Sequence, residues 1–394
     1  MAGDQRLRWL SAFPLDAIGR GSRAPADSIP GVTAPGPPAI DGIEIFYLSV
    51  PMRRPHRAAG TEVTRRRLAL VRLRSGAEEG WGEYGPVPGY SGESAGDAVA
   101  ALLTAAPRLV GAPLDPQALV FSQPGSPGVR HAVETAALDL AGRLRGVPVA
   151  TLLGGSPGPV AVGAVAGLDA GPSDLAALAG YPRIKLKVDG LTGLRRAVDL
   201  RSRAPGLPLA LDANGSLPPD DLHLVAALLD RIAPLFVEQP FSPADREATA
   251  ALNRLASTPV CLDESIARPD DVRRALESGE AVIVALKPAR LGGLSATAAA
   301  LAEVRSAGGR AWIGGLLESG VGRAASLAVA RVPGCTEPAD LSPPIEYLDE
   351  DLLAPPLGGA GGSVTVPDLP GLGVEIDRAA VARLTEGRWS AGAF

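Results

Sequence analysis

The chain has 394 residues, 46% of them apolar, and a formal net charge of −5. That is enough for one large domain and a smaller one, and the charge leaves no basic footprint for nucleic acid or an acidic membrane surface. Two cysteines, Cys261 and Cys335, cannot make a disulfide framework for a chain of this size; they read as small core residues.

The first residues, MAGDQRLRWLSAFPLD, lack the apolar core of a signal peptide. No stretch approaches the ~20 apolar residues of a membrane span. The expectation is a cytoplasmic protein with neither membrane nor nucleic-acid partner. Residues 1–40 are rich in Pro, Gly, Ala and Ser without a period, and read as a flexible leader. From Ile43 the texture changes. IEIFYLSVPM and RRRLALVRLRS read as strands, with GWGEYGP after them. Helical patterns follow at AGDAVAALLTAAPRLV and VRHAVETAALDLAGRLRG. Strands first and helices after is an α+β opening.

After about residue 150 short apolar runs alternate with helical segments. The runs are PVAVGAVAG, RIKLKVDG, LPLALDANG, PLFVEQPF, PVCLDES, AVIVALKPAR and RAWIGGLLESG. Near-continuous apolar strands in a βα series mark a parallel sheet covered on both faces. Seven or eight units fit a TIM-type barrel. A doubly wound open sheet is the rival, and no GxGxxG turn follows the first strand to support it.

Charged residues recur at the ends of these strands: Lys187, Asp212, Glu238, Asp263 and Lys287. Their spacing is close to one βα unit, since about 250 residues serve eight units. They therefore share one height, at the carboxyl ends where barrel active sites lie. Three converging carboxylates repel one another unless a cation binds them. Asp212, Glu238 and Asp263 form an all-oxygen set suited to Mg²⁺. Lys187 and Lys287 lie on the flanking strands and face each other across the mouth. A lysine near other cations and partly desolvated has its pKa lowered toward neutrality, which makes Lys187 and Lys287 usable bases; Lys185, on the same face as Lys187, is its nearest cation.

At these residues the chain resembles the enolase superfamily, in its muconate-lactonizing-enzyme subgroup. The motifs are KLK at 185–187, DAN at 212–214, VEQP at 237–240, DES at 263–265 and KPARLGG at 287–293. The resemblance implies an α/β fold, a modified TIM barrel (β/α)7β with an α+β capping domain. The cap spans residues 41–130 and is completed by the tail 358–394; the barrel spans 131–357. It also implies Mg²⁺ as cofactor, with Mn²⁺ as a substitute, held by Asp212, Glu238 and Asp263. Lys187 and Lys287 become the acid/base pair on opposite faces of a small carboxylate substrate. The chemistry is removal of the proton α to the carboxylate, with the enediolate stabilised by the metal and nearby cations. A homo-oligomer is compatible with this reading. Lys185, Asn214, Glu264, Arg290, Gly315, Leu316, Glu318 and Ser319 are the expected supporting or substrate-binding residues, with Arg290 placed to tune Lys287. The histidines, His56, His131 and His223, fall in a loop or in helices and are read as structural or solvated.

GGLLESGVGRAASLAVA (314–330), CTEPADLSPPIEYLDEDLLAPPL (335–357) and WGEYGPVPGY (81–90) resemble the branch of o-succinylbenzoate synthases and N-succinylamino acid racemases. The eighth-strand region reads EPAD rather than the acidic DxD of dipeptide epimerases. Ala164 and Ala166 stand where a hydroxyl residue is common in that branch, and RAASLA replaces its usual Arg-Ala-His-Asn run. The loops MRRPHRAAG (52–60) and PVPGYSGES (86–94) are expected to cover the substrate. The branch implies, first, dehydration of 2-succinyl-6-hydroxy-2,4-cyclohexadiene-1-carboxylate in menaquinone biosynthesis. The alternative is N-succinylamino acid or N-acylamino acid racemisation, and after it another epimerase or cycloisomerase of the subgroup.

Overall fold

The computed structural model describes residues 38–58, 61–122 and 125–394. Most of the expected leader lies outside them. Its last residues do not: Ala39 bridges Pro113 and Ile40 is fully buried.

The chain opens with three strands, β1 (Gly42–Ala58), β2 (Thr61–Ser75) and β3 (Glu78–Tyr84). Helices α1 (Ala95–Leu109), α2 (Pro116–Ser122) and α3 (Pro127–Arg145) follow. Strands alternate their side chains between faces, so one side of β1 and β2 offers Ile43, Ile45, Val71 and Leu73 to the helices. The other side offers Phe46, Leu48, Leu68 and Leu70 to the main core. Each such side chain contributes roughly 1.5–3 kcal/mol when fully buried. The boundary expected after residue 130 falls inside α3. Val133, Ala136, Ala137 and Leu140 of that helix pack in the cluster of the antiparallel sheet.

The βα series then runs through α4 (Val149–Leu152), β4 (Val160–Ala161), β5 (Ala164–Ala166), α5 (Pro172–Ala177), β6 (Ile184–Lys187) and α6 (Gly190–Arg203). It continues with β7 (Leu209–Asp212), α7 (Leu222–Ile232), β8 (Val237–Glu238), α8 (Arg246–Leu255), β9 (Val260–Leu262) and α9 (Pro269–Glu277). Next come β10 (Ile283–Leu286), α10 (Pro288–Leu291), α11 (Leu294–Ser306), β11 (Arg310–Ile313) and α12 (Gly320–Val329). Strands β5 to β11 form one parallel sheet in chain order. That sequential order excludes the doubly wound alternative, whose strand order reverses at a switch point. The circle closes through residues 336–340, where Ala339 bridges Val162 and Asp340 bridges Gly314.

The last elements are β12 (Gly359–Ala360), β13 (Ser363–Val364), α13 (Arg378–Leu384) and β14 (Thr385–Gly392). β13 pairs antiparallel with both β12 and β4, whereas β14 lies antiparallel to β1, with Gly392 opposite Gly42. Among the described residues no helix is long and apolar enough to cross a membrane.

Strand alternation also decides what lines the barrel. Leu209, Leu211, Val237, Val260, Leu262, Val284 and Leu286 join the main core with the helices. Ala210, Phe236, Cys261, Ile283, Ala285 and Trp312 form a separate cluster inside the ring. Two residues further along each strand, on the same inward face, come Asp212, Glu238, Asp263 and Lys287.

Candidate active site

Parallel register aligns the strand ends. Lys187 pairs with Asp212, and Asp212 with Glu238. Glu238 lies opposite Cys261, so Asp263 stands two residues beyond on the same face. The chain then turns sharply. Asn214 (φ 42°), two residues after Asp212, and Gln239 (φ 38°), directly after Glu238, take left-handed conformations, as does Leu317 (φ 59°) in the loop after β11. Non-glycine residues in that region store strain and concentrate at functional sites.

Lys187 donates from Nζ to Asp212 Oδ2 (3.1 Å) and to Asn214 Oδ1 (2.6 Å). Asn214 Nδ2 donates to Glu264 Oε1 at 3.0 Å. On the far side Lys287 Nζ donates to Asp263 Oδ2 (2.7 Å) and to the Tyr90 hydroxyl (2.6 Å). Arg290 donates to Asp263 Oδ1 at 2.9 Å, and the Arg290 and Lys287 cations lie 5.0 and 4.6 Å from the Tyr90 ring centre. Gly314 leaves room for this lysine, because a Cβ there would stand 3.0 Å from its Cε. The Lys187 side chain is 34% exposed and the Lys287 side chain 12%. Both ammonium groups border the mouth, one beside Asp212 and one beside Asp263.

Lys185 does something other than expected. Its side chain is 9% exposed and its Nζ lies 2.5 Å from Asp340, 3.0 Å from Glu238 and 3.5 Å from Asp212. Burial lowers its pKa, but these three carboxylates outweigh burial and hold it well above the lysine range. Its charge is thus neutralised locally rather than presented bare to Lys187. Lys287 likewise titrates above its ordinary value, because Asp263 and Glu264 outweigh its burial. The lowered lysine pKa expected from the sequence is corrected for Lys287, for this electrostatic reason.

Asp340 is the site residue that sequence reading missed. Burial pushes its pKa up, yet Lys185 and Arg183 bring it to about 2. Arg183, fully buried, pairs with Asp340 and stacks on Trp312 (4.6 Å) and Phe236 (5.5 Å). In sequence the EPAD stretch reads only as a departure from a DxD motif, and nothing local marks its aspartate. Gln239, inside VEQP, is equally unmarked. Its Oε1 accepts from the Asp263 and Ser265 amides (3.2 and 3.1 Å) and its Nε2 donates to Ser265 Oγ at 2.8 Å. It locks the Glu238 and Asp263 strand ends together.

The remaining expected residues form a second cluster. Glu318 accepts from the Leu316 amide (2.7 Å) and pairs with Arg323 (3.1 Å). Gly315 is needed there, since a Cβ would lie 2.5 Å from Arg323 Nη1. Ser319 donates through both its amide and its hydroxyl to Glu83 on β3. Ser319, and Leu316 through its carbonyl to Arg66 of β2, join barrel to cap, and among the described residues none of Gly315, Leu316, Glu318 and Ser319 hydrogen-bonds to the lysines or the strand-end acids. His131 is buried, with burial bringing its pKa down to about 4, and His223 is exposed. The His56 side chain lies outside the described residues.

The acids suit a hard cation by chemistry. Glu238 is fully buried; burial, then the charges of Asp212 and Asp263, push its pKa well above the carboxylate range despite Lys185. Its Oε2 accepts no hydrogen bond, although Lys185 Nζ stands 3.0 Å away. An all-oxygen carboxylate set with one buried oxygen left without a hydrogen bond fits Mg²⁺ or Mn²⁺ by donor type. Lysine ammonium groups stand beside all three acids. Among the described residues no three Asp, Glu, His or Cys side chains are gathered closely enough to cage an ion in this arrangement.

A family model described as "Enolase C-terminal domain-like" matches residues 173–380, and one described as "Mandelate racemase / muconate lactonizing enzyme, N-terminal domain" matches 42–154. The chain is 31% identical over 353 residues to an o-succinylbenzoate synthase of Bacillus subtilis, covering 86% of this chain and 95% of the relative. It is 33% identical over 359 residues to an N-succinylamino acid racemase of Thermus thermophilus, covering 88% of this chain and 97% of the relative. A solved structure of a probable mandelate racemase from Alicyclobacillus acidocaldarius superposes with a TM-score of 0.82 at 32% identity, covering 90% of this chain and 99% of that one.

Proposed function

The chain belongs to the mandelate racemase / muconate lactonizing enzyme family of the enolase superfamily, and from that premise we propose that it is an o-succinylbenzoate synthase. The substrate is 2-succinyl-6-hydroxy-2,4-cyclohexadiene-1-carboxylate. The observation that carries this reading is the pair of ammonium groups on either side of three inward strand-end carboxylates, Lys187 on Asp212 and Lys287 on Asp263.

Lys187, the more exposed of the two, first gives up a proton to solvent and, as the free amine, takes the proton α to the carboxylate to become an ammonium. The same Nζ then returns that proton to the departing hydroxide, and water leaves as the ring becomes aromatic. Lys287, held by Asp263 and Tyr90, stays a cation over the ring and stabilises the charge that develops. A divalent cation held by Asp212, Glu238 and Asp263, Mg²⁺ or Mn²⁺ in its place, would supply further positive charge at the substrate carboxylate.

A second reading is N-succinylamino acid racemase. Arg290 favours it, because it shares Asp263 with Lys287 and so bears on how readily that lysine exchanges a proton. The test is a dehydration assay by ultraviolet absorbance with Mg²⁺, beside NMR of N-succinylamino acids in D₂O. We expect dehydration that chelation abolishes and added Mg²⁺ restores. Exchange without dehydration would favour the racemase, and neither reaction would remove both.

A further inference from the structure

We propose that Arg66 is a positioning residue that couples the cap loop carrying Tyr90 to the barrel loop after β11, so that the two move as one. Arg66 projects from β2 and is 1% exposed. Its guanidinium is spent on four backbone carbonyls from two loops. Nη1 donates to Pro86 O (2.9 Å) and Nη2 to Gly85 O (2.6 Å) on the cap side. Nη2 also donates to Leu316 O (3.0 Å) and Nε to Leu317 O (3.1 Å) on the barrel side. A planar fork of fixed donors ties such sites in a way a lysine point charge does not.

Both loops border the site. The cap loop folds back at Val87, whose carbonyl accepts from the Tyr90 and Ser91 amides at 3.0 Å, and this turn delivers Tyr90 to Lys287 and Asp263. The barrel loop begins at Gly314, against Lys287, and holds Leu317 in the left-handed region. A leucine keeps that conformation only where its surroundings over-determine it, and Arg66 grips its carbonyl. Glu83 adds a second tie from the cap, accepting from the Ser319 and Gly322 amides at 2.9 and 3.1 Å. The placement of Tyr90 over Lys287 thus runs through Arg66, with Glu83 beside it, and Arg66 touches neither Tyr90 nor Lys287.

The consequence for substrate rests on the proposed function; the coupling does not. Native-state hydrogen exchange of the wild-type protein in rising, sub-denaturing urea tests the coupling without any substitution. The amides of Val87, Tyr90 and Ser91 should share one opening free energy with those of Leu316 and Ser319. In Arg66→Lys, exchange in both loops should rise at least about tenfold while strands β7 and β9 stay unchanged. KM for the turned-over substrate should rise more than kcat falls, which a purely structural role would not produce. Independent opening of the two loops in the wild type, release of one loop only, or a uniform rise across the barrel would each overturn the proposal. If no substrate is turned over, the proposed function fails and the exchange result still decides the coupling.

Discussion

Asp263 shows how one side chain serves several others. Lys287 and Tyr90 contact its Oδ2, and Arg290 donates to its Oδ1 and to its backbone carbonyl. Burial brings the Arg290 pKa down to about 10, so the guanidinium remains a cation at neutral pH. Replacing Arg290 by alanine leaves Asp263 with Lys287 as its nearest cationic partner and strengthens the hold on the lysine's proton. Racemisation needs Lys287 to give and take that proton, whereas dehydration uses it as a fixed cation. Arg290→Ala should therefore slow α-proton exchange of an N-succinylamino acid by about a hundredfold, within the range of a lost general acid–base contribution. Dehydration should fall less than about tenfold. Equal losses, by NMR and absorbance on the same preparation, would contradict this. The strand-end charges were readable in the sequence because they repeat with the βα unit. Asp340 and Tyr90 were not, since each reaches the site from a segment far along the chain, and no local period announces a partner that distant.

Among the elements, the barrel strands and most helices could be read from their apolar periods. Helix α3 was found, but its packing was not foreseen. It carries His131, Glu134 and Asp139 on buried positions that look polar in the sequence. The acids are buried because they satisfy backbone donors of other elements. Asp139 accepts from the Trp81 and Leu372 amides, at 2.8 and 2.7 Å. Glu134 accepts from the Leu294 and Ser295 amides at the start of α11, where a helix leaves unpaired N–H groups. Burial raises the Glu134 pKa from 4.5 to about 7, more than those hydrogen bonds lower it. The folded chain then binds this proton more tightly than the unfolded chain does. The associated stability is complete below about pH 4.5 and is lost as pH rises through about 7. Glu134→Gln removes that loss. By urea unfolding, the variant should gain on the wild type by on the order of a few kcal/mol between the acid and neutral ends of that window. A difference that stays flat with pH would show that Glu134 does not titrate there.

At the scale of the whole molecule, the chain returns to its starting sheet. Strand β14 pairs with β1, while residues 336–340 close the barrel between Gly314 and Val162. These long-range closures follow from topology, which residue patterns constrain only through the family they resemble. The cap lends Tyr90, Arg66 and Glu83 to the barrel's carboxyl end, so the site belongs to both parts of the fold. The central claim is that Lys187 moves the α-proton while Lys287, on the other side of the strand-end acids, acts as a fixed cation. The most direct measurement is dehydration of the proposed substrate with Mg²⁺, followed by ultraviolet absorbance, in the wild type, Lys187→Ala and Lys287→Arg. The wild-type protein should dehydrate it, Lys187→Ala should lose at least about a hundredfold, and Lys287→Arg, which keeps the charge, should lose less than about tenfold. Wild-type turnover by Lys187→Ala would contradict the account.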